Sequence, residues 1–186
     1  MPDADFLKAV KVGKADVLTD QIEMFHEHGI KLKSGRTLEA DLVVSATGLK
    51  VKFMAGLKLN LDGKEIQFRD KVPYKGAMMS GIPNFAMIFG YTNASWTLKV
   101  DLVAAWVARL LAHMKANGYQ VVMPNKNPPV DREPLLNLSS GYLQRASNIL
   151  PKNGSRAPWK MNQNYFRDLF EFKAKPLVDR SLQFSK

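Results

Sequence analysis

Phe85-Ala-Met-Ile-Phe89 runs into Gly90, then the polar loop Tyr91-Thr-Asn-Ala-Ser95, then a long periodic segment from Trp96 to Ala116. A short apolar run stopped by glycine suits a strand buried on both faces. The segment after it repeats differently. Leu98, Leu102, Trp106 and Leu110 share one stripe, widened by Val103, Val107, Leu111 and Met114, and such a stripe predicts a core helix. Asn93 or Ser95 caps its start, and Asn117-Gly118 followed by Tyr119 supplies the stop. At 1.5 Å per residue the helix is about 32 Å long, enough to cross a domain. Strand, loop and helix in this order predict an α/β fold. They also aim free backbone N–H groups and the positive helix end at one point, where an electron-rich ligand edge is stabilised. Thr92, Asn93, Ser95 and Thr97 add side-chain donors there. Capping alone would also account for Asn93 and Ser95, and the two roles are compatible.

A second ligand-facing place lies upstream, at Asp41-Leu-Val-Val-Ser-Ala46-Thr47-Gly48. Leu42 to Ala46 reads as another buried strand, and small residues at its end suit the carboxyl edge of an α/β sheet, outside which ligands bind. A plain turn is the alternative. Around these two places the pattern is simpler. Phe6 to Val10 predicts a helical turn ended by Gly13, and Ala15 to Glu27 reads as strand-like, with a turn at His28-Gly29. Ile30 to Lys33, Ser34-Gly35 and Thr37-Leu38 predict one hairpin; Leu57 to Leu61, Asp62-Gly63 and Lys64 to Phe68 predict a clearer one. Pro73 and Ser80 to Pro83 break the next stretch. Four prolines between Pro124 and Pro134 predict an irregular linker. Leu138 to Ile149 predicts a short helix entered through Ser139 or Ser140, Pro151 to Pro158 a basic loop, and Trp159 to Lys173 a last helix.

Composition excludes several classes. With 186 residues, 46% hydrophobic and 24% charged, the chain is neither collagen, a disordered tail nor a disulfide scaffold. The absence of cysteine removes thiolate nucleophiles, Cys-ligated zinc and iron–sulfur clusters. No Gly-x-Ser-x-Gly elbow or Ser-x-x-Lys pair is present, so covalent acyl transfer is not expected. No two glycines stand two apart, which rules out Gly-x-Gly-x-x-Gly within this stretch. His26 and His28 read as a solvated strand end rather than a metal site, and His113 as a helix-end residue. The net charge is +10, and from Leu143 onward nine basic residues face three acidic ones. A basic surface of this kind attracts phosphates, but no nucleic-acid motif accompanies it. The amino terminus is not a signal peptide, and the longest apolar stretch, Leu102 to Ala112, is interrupted by Arg109 and too short to span a bilayer. A cytoplasmic protein is the expectation.

Asp41-xxxx-Ala46-Thr47-Gly48, read with Gly90-Tyr-Thr-Asn-Ala-Ser-Trp-Thr-Leu-Lys-Val-Asp-Leu102, resembles the C-terminal part of flavin-containing monooxygenases of the Baeyer–Villiger type, nearest the ethionamide-activating subgroup. The resemblance continues through Ser80-Gly-Ile-Pro-Asn84, Gly154-Ser-Arg-x-Pro-Trp159 and Gln163-Asn-Tyr165. It implies the C-terminal fragment of a flavoprotein with two Rossmann-like dinucleotide-binding domains, carrying β-hairpins, one long core helix and a helical C-terminal segment. Residues 1–48 would be the tail of the NADPH-binding domain, 49–123 the second half of the FAD-binding domain, and 124–186 a loop and helical extension. The cofactors implied are FAD and NADPH, held by the whole enzyme and not by this stretch alone. The cofactor-binding residues implied are Ala46, Thr47, Gly48, Gly90, Thr92, Asn93, Ala94, Ser95, Trp96 and Thr97, with no catalytic residue and no metal ligand among these 186. Family chemistry is formation of a flavin C4a-peroxide from NADPH and oxygen, then insertion beside a ketone or transfer to sulfur or nitrogen.

The family's glycine-rich motifs, fingerprint and catalytic arginine all lie upstream of the matched part. The chain therefore reads as a fragment, inactive alone, whose partners are the missing N-terminal dinucleotide-binding region and a small-molecule substrate, with no nucleic acid and no membrane span. Two other readings remain open. One is a non-catalytic binding or assembly module that self-associates through exposed sheet edges. The other makes the basic C-terminal quarter a nucleic-acid or membrane patch, with steeply salt-dependent retention on heparin.

Overall fold

The computed structural model describes residues 2–136 and 140–186. The chain divides into two compact units, the first ending at Gly48 and the second spanning Leu49–Lys186.

In the first unit, helix α1 (Asp5–Lys11) precedes an antiparallel meander of β1 (Ile22–His26), β2 (Gly29–Leu32) and β3 (Thr37–Glu39). The strand-like reading from Ala15 shortens to Ile22. Asp16 and Asp20 accept hydrogen bonds from the N–H groups of Val17 and Gln21, and such local bonds compete with a sheet ladder. The turn falls on Glu27-His28, which lets Gly29 pair with His26. Gly29 has a φ of +149°, and a Cβ there would lie 1.9 Å from the Leu38 carbonyl oxygen. Gly29→Ala is therefore expected to destabilise this unit by more than about 1 kcal/mol, read as faster hydrogen exchange across residues 22–39.

Leu42 to Ala46 corrects an expectation. The run forms no strand, and Leu42 and Val44 are 80% and 78% exposed. An apolar run signals a need for burial, but a doubly buried strand also needs a neighbour on each edge. Among the described residues none pairs with it.

In the second unit, after a 3-10 turn at Phe53–Gly56, the Asp62-Gly63 hairpin joins β4 (Asn60–Leu61) to β5 (Lys64–Glu65). Both turn residues have positive φ, 51° and 78°, as a tight two-residue turn requires. A second hairpin, β6 (Pro73–Tyr74) to β7 (Met78–Met79), turns through Lys75 and Gly76, also at positive φ. Phe85 to Phe89 is not the buried strand expected. It makes one bridge, Met78 to Ala86, and one further backbone bond, from Met87 to the Ala77 carbonyl. The two-residue β7 offers too short an edge, so Met87 turns inward while Ala86 and Ile88 face solvent.

Helix α2 (Trp96–Asn117) is the unit's axis. Gly118, at φ +67°, ends it, and Tyr119 N–H bonds the Met114 carbonyl in a left-handed C-cap. Its buried face comprises Lys99, Leu102, Val103, Trp106, Leu110 and Met114. Leu98 and Leu111, placed in the apolar stripe by sequence, are exposed; a paired lysine occupies the inner position instead.

Beyond α2 come β8 (Val121–Pro124), β9 (Arg132–Pro134), α3 (Gly141–Ala146), β10 (Lys152–Gly154), α4 (Tyr165–Lys173) and β11 (Leu182–Ser185). The expected linker thus contains a strand, β9, which pairs with β10, while β11 pairs with β8. Ser140 precedes α3; Leu138 and Ser139, given to the same helix start by sequence, lie outside the described residues. The last helix begins at Tyr165 rather than Trp159, because the Asn164 side chain caps it by accepting from Arg167 N–H at 3.0 Å. Trp159 instead packs edge-on against Tyr74 in the core. The architecture is mixed α/β with small antiparallel sheets. Every strand pair among the described residues is antiparallel, and these residues do not form a Rossmann-like parallel sheet. Among them no helix is long and apolar enough to cross a membrane.

Candidate functional site

Gly90 has no space for a side chain, since a Cβ would lie 2.1 Å from the Trp96 ring. The indole of Trp96 thus lies on the backbone of Gly90 and is still 61% exposed. Between them only Tyr91 of the loop is buried. Tyr91 turns inward and donates its hydroxyl to Asp168 Oδ2 at 2.6 Å. Thr92 donates from both its N–H and its hydroxyl to Gln163 Oε1, at 2.8 and 3.1 Å. The Asn93 amide donates to the Gln163 carbonyl at 3.2 Å. Thr92 to Leu98 are all exposed.

The capping expectation at this helix end needs correcting. Ser95 occupies the N-cap position, but its side chain makes no capping bond to a backbone N–H of the first turn. Its hydroxyl pairs with Thr97 Oγ1 at 2.7 Å, and Asn93 is turned to Gln163. No acidic residue lies in the first turn. Among the described residues the N–H groups at the α2 entrance therefore have no side-chain cap, which leaves the positive end of the helix dipole available to an electron-rich group.

Beneath this end, Lys99 and Asp168 are buried, at 1% and 4% exposure, and form an ion pair of 2.7 Å. The Lys99 ammonium also lies 4.8 Å from the centre of the Phe172 ring. Among the described residues it has no other polar partner. Burial lowers the Lys99 pKa, and the Asp168 carboxylate opposes that shift. Burial and the same carboxylate push the Tyr91 phenol well above its usual range, so it stays a donor.

The structure brings Gly90, Thr92, Asn93, Ala94, Ser95, Trp96 and Thr97 into one loop and helix entrance. Ala46, Thr47 and Gly48 lie in the other compact unit, exposed and without regular structure. Sequence reasoning missed the residues that fasten the loop, namely Tyr91, Lys99, Gln163 and Asp168. One signal was available. Lys99 stands at helical spacing from Val103, Trp106 and Leu110, and a charge inside an apolar stripe asks for a buried partner. Among the described residues no group of three or more His, Cys, Asp or Glu could hold a metal ion.

Comparison with known proteins bears on what this entrance faces. No protein-family model matches the chain. Over its whole length it is nevertheless similar to FAD-containing monooxygenases. In particular, it matches the C-terminal 38% of proteins named as FAD-containing monooxygenases. It is 46% identical over 186 residues to the FAD-containing monooxygenase EthA of Mycolicibacterium smegmatis. It is 45% identical over 188 residues to the "Probable FAD-binding monooxygenase AlmA" of an Acinetobacter species. It is 44% identical over 187 residues to EthA of Mycobacterium tuberculosis. Each alignment covers all of this chain and 38% of the relative, so the chain spans well under half the length of the curated relatives it matches.

Proposed function

We propose that the chain is the C-terminal portion of an FAD- and NADPH-dependent monooxygenase, and that the loop 90–97 with the α2 entrance faces the flavin ring. The observation that carries this reading is the uncapped, acid-free start of a 22-residue helix beside exposed donors and an indole, in a chain similar throughout to named FAD-containing monooxygenases. These residues fit one polar ring edge. They do not fit a pyrophosphate, since no Gly-x-Gly-x-x-Gly occurs, so the rest of the cradle comes from upstream polypeptide. The exposed Leu42 to Val44 run supports the same view, because an uncovered apolar stretch of this kind is a surface for further polypeptide to pack on.

In this reading residues up to Gly48 close the NADPH-binding domain, with Ala46, Thr47 and Gly48 at the return. Residues 49–123 complete the FAD-binding domain, and 124–186 are an extension. When bound, FAD would supply the oxygen-activating chemistry, with NADPH as the two-electron reductant, one oxygen atom going to a ketone, sulfur or nitrogen substrate and the other leaving as water. This chain's residues bind and position. The first-turn N–H groups of α2 and the helix dipole favour negative charge on the ring edge. Thr97 and Ser95 offer hydroxyls there, and Trp96 covers the site and excludes water. Neither cofactor is held by this chain alone, and the whole enzyme works in the cytoplasm.

Asn93→Ala and Trp96→Ala in the intact enzyme test the reading. Each is expected to lower NADPH-dependent turnover about tenfold, the scale of one lost positioning contact of about 1.4 kcal/mol, with reduced bound flavin in Trp96→Ala. Flavin content and NADPH oxidation unchanged in both would remove the loop from the site.

A further inference from the structure

Tyr91 to Ala94 is bound to the rest of the protein in an unusual way. Among the described residues no backbone–backbone hydrogen bond ties it to another element. Its four fastenings are the Tyr91 hydroxyl, the Thr92 N–H, the Thr92 hydroxyl and the Asn93 amide. All four end on two residues, Gln163 and Asp168, at the threshold of α4. A single carboxylate oxygen, Asp168 Oδ2, receives both the Tyr91 hydroxyl at 2.6 Å and the Lys99 ammonium at 2.7 Å. That oxygen therefore joins the loop, the first turns of α2 and α4.

We infer that Asp168 is a positioning residue: through one buried oxygen shared by Tyr91 and Lys99, it and Gln163 hold the loop 91–94 in its shape against α4. The consequence for the flavin rests on the function proposed above; the fastening itself does not. A hydrogen bond to a buried carboxylate is short and directional, and here it meets the Lys99 ion pair at the oxygen that links loop and helix. The segment after α2 thus contributes to the shape of the loop. Gln163 sets the outer half of the loop and Asp168 the inner half. Asp168 Oδ2 accepts from the Tyr91 hydroxyl, and the Lys99 ammonium lies 2.7 Å from the same oxygen.

The Thr92 amide reports on the loop, because Gln163 Oε1 protects it at 2.8 Å. Tyr91→Phe leaves that bond and the Lys99–Asp168 pair untouched and removes only the hydroxyl. In the intact protein this variant is expected to speed hydrogen exchange of the Thr92 amide at least tenfold, with amides of residues 102–114 unchanged. In the flavin-loaded protein it is also expected to shift the visible flavin bands and to raise the NADPH consumed per product formed, with a fall in melting temperature much smaller than that of Asp168→Asn. Thr92 protection equal to wild type would overturn the inference, as would an equal rise at residues 102–114. Asp168→Asn serves as a harsher second variant, read at the same amide. The two readings fail separately. Faster Thr92 exchange with flavin unaffected by Trp96→Ala keeps the fastening and removes the flavin; unchanged Thr92 exchange with flavin lost in Trp96→Ala does the reverse.

Discussion

Asp168→Asn costs the Leu49–Lys186 unit about 3–5 kcal/mol, the scale for removing one partner of a buried ion pair. The substitution keeps the side-chain shape but leaves the Lys99 ammonium, 1% exposed, without a counter-charge in a wall made partly of the Phe172 ring. A loss of that size corresponds to a fall of roughly 10–20 °C in melting temperature for a unit of this size. The pH dependence carries a definite sign. Lys99 already has a folded-state pKa below its ordinary value of 10.5, because burial disfavours the charged form. Without Asp168 to oppose that effect, the folded pKa drops further. Between the folded value and 10.5 the unfolded chain holds more protons than the folded one, so stability rises with pH in that window. The deficit of Asp168→Asn is therefore expected to narrow as pH is raised from 7 toward 10, measured by thermal melts across the range. A deficit independent of pH would mean that the lysine is not the source of the loss. Lys99→Met combined with Asp168→Leu removes both charges and is expected to recover most of the stability.

Trp106→Ala is the second large effect, about 3–5 kcal/mol by the usual cost of emptying a large aromatic site. Trp106 lies in mid-α2, fully buried, at ring distances of 6.1 Å from both Tyr74 and Phe172. It therefore touches both the β6–β7 hairpin and α4, and its loss leaves a void between three elements that cannot all move inward. Its indole N–H has no partner among the described residues, so Trp106→Phe gives up packing but also removes an unsatisfied donor. That variant is expected to cost less than half as much as Trp106→Ala, read from denaturant midpoints. Equal losses would place the value of Trp106 in its polar atom rather than in its bulk.

The legible parts of the sequence were those in which one local rule decides. The α2 helix, its glycine stop and the Asp62-Gly63 turn follow from period, cap and positive φ, and each stands where it was expected. The illegible parts depend on distant partners. Leu42 to Ala46 and Phe85 to Phe89 have identical strand signatures, yet neither is a strand, because pairing depends on neighbours that a local pattern does not contain. Strands β8 and β11 escaped notice for the opposite reason: each acquires its identity only by meeting the other across some sixty residues. At the candidate site the loop and its helix were readable, whereas Gln163 and Asp168 were not. Their partners, Thr92 and Asn93 for Gln163 and Tyr91 and Lys99 for Asp168, stand some seventy positions earlier in the chain.

The loop and its fasteners are 70–77 residues apart along the chain. A crossover between this sequence and a relative, placed anywhere in that interval, would take the two from different parents. Recombination, whether natural or in a shuffled library, should accordingly tolerate breakpoints before Gly90 or after Phe172 far better than breakpoints between them, unless both parents carry the same tyrosine, lysine, glutamine and aspartate.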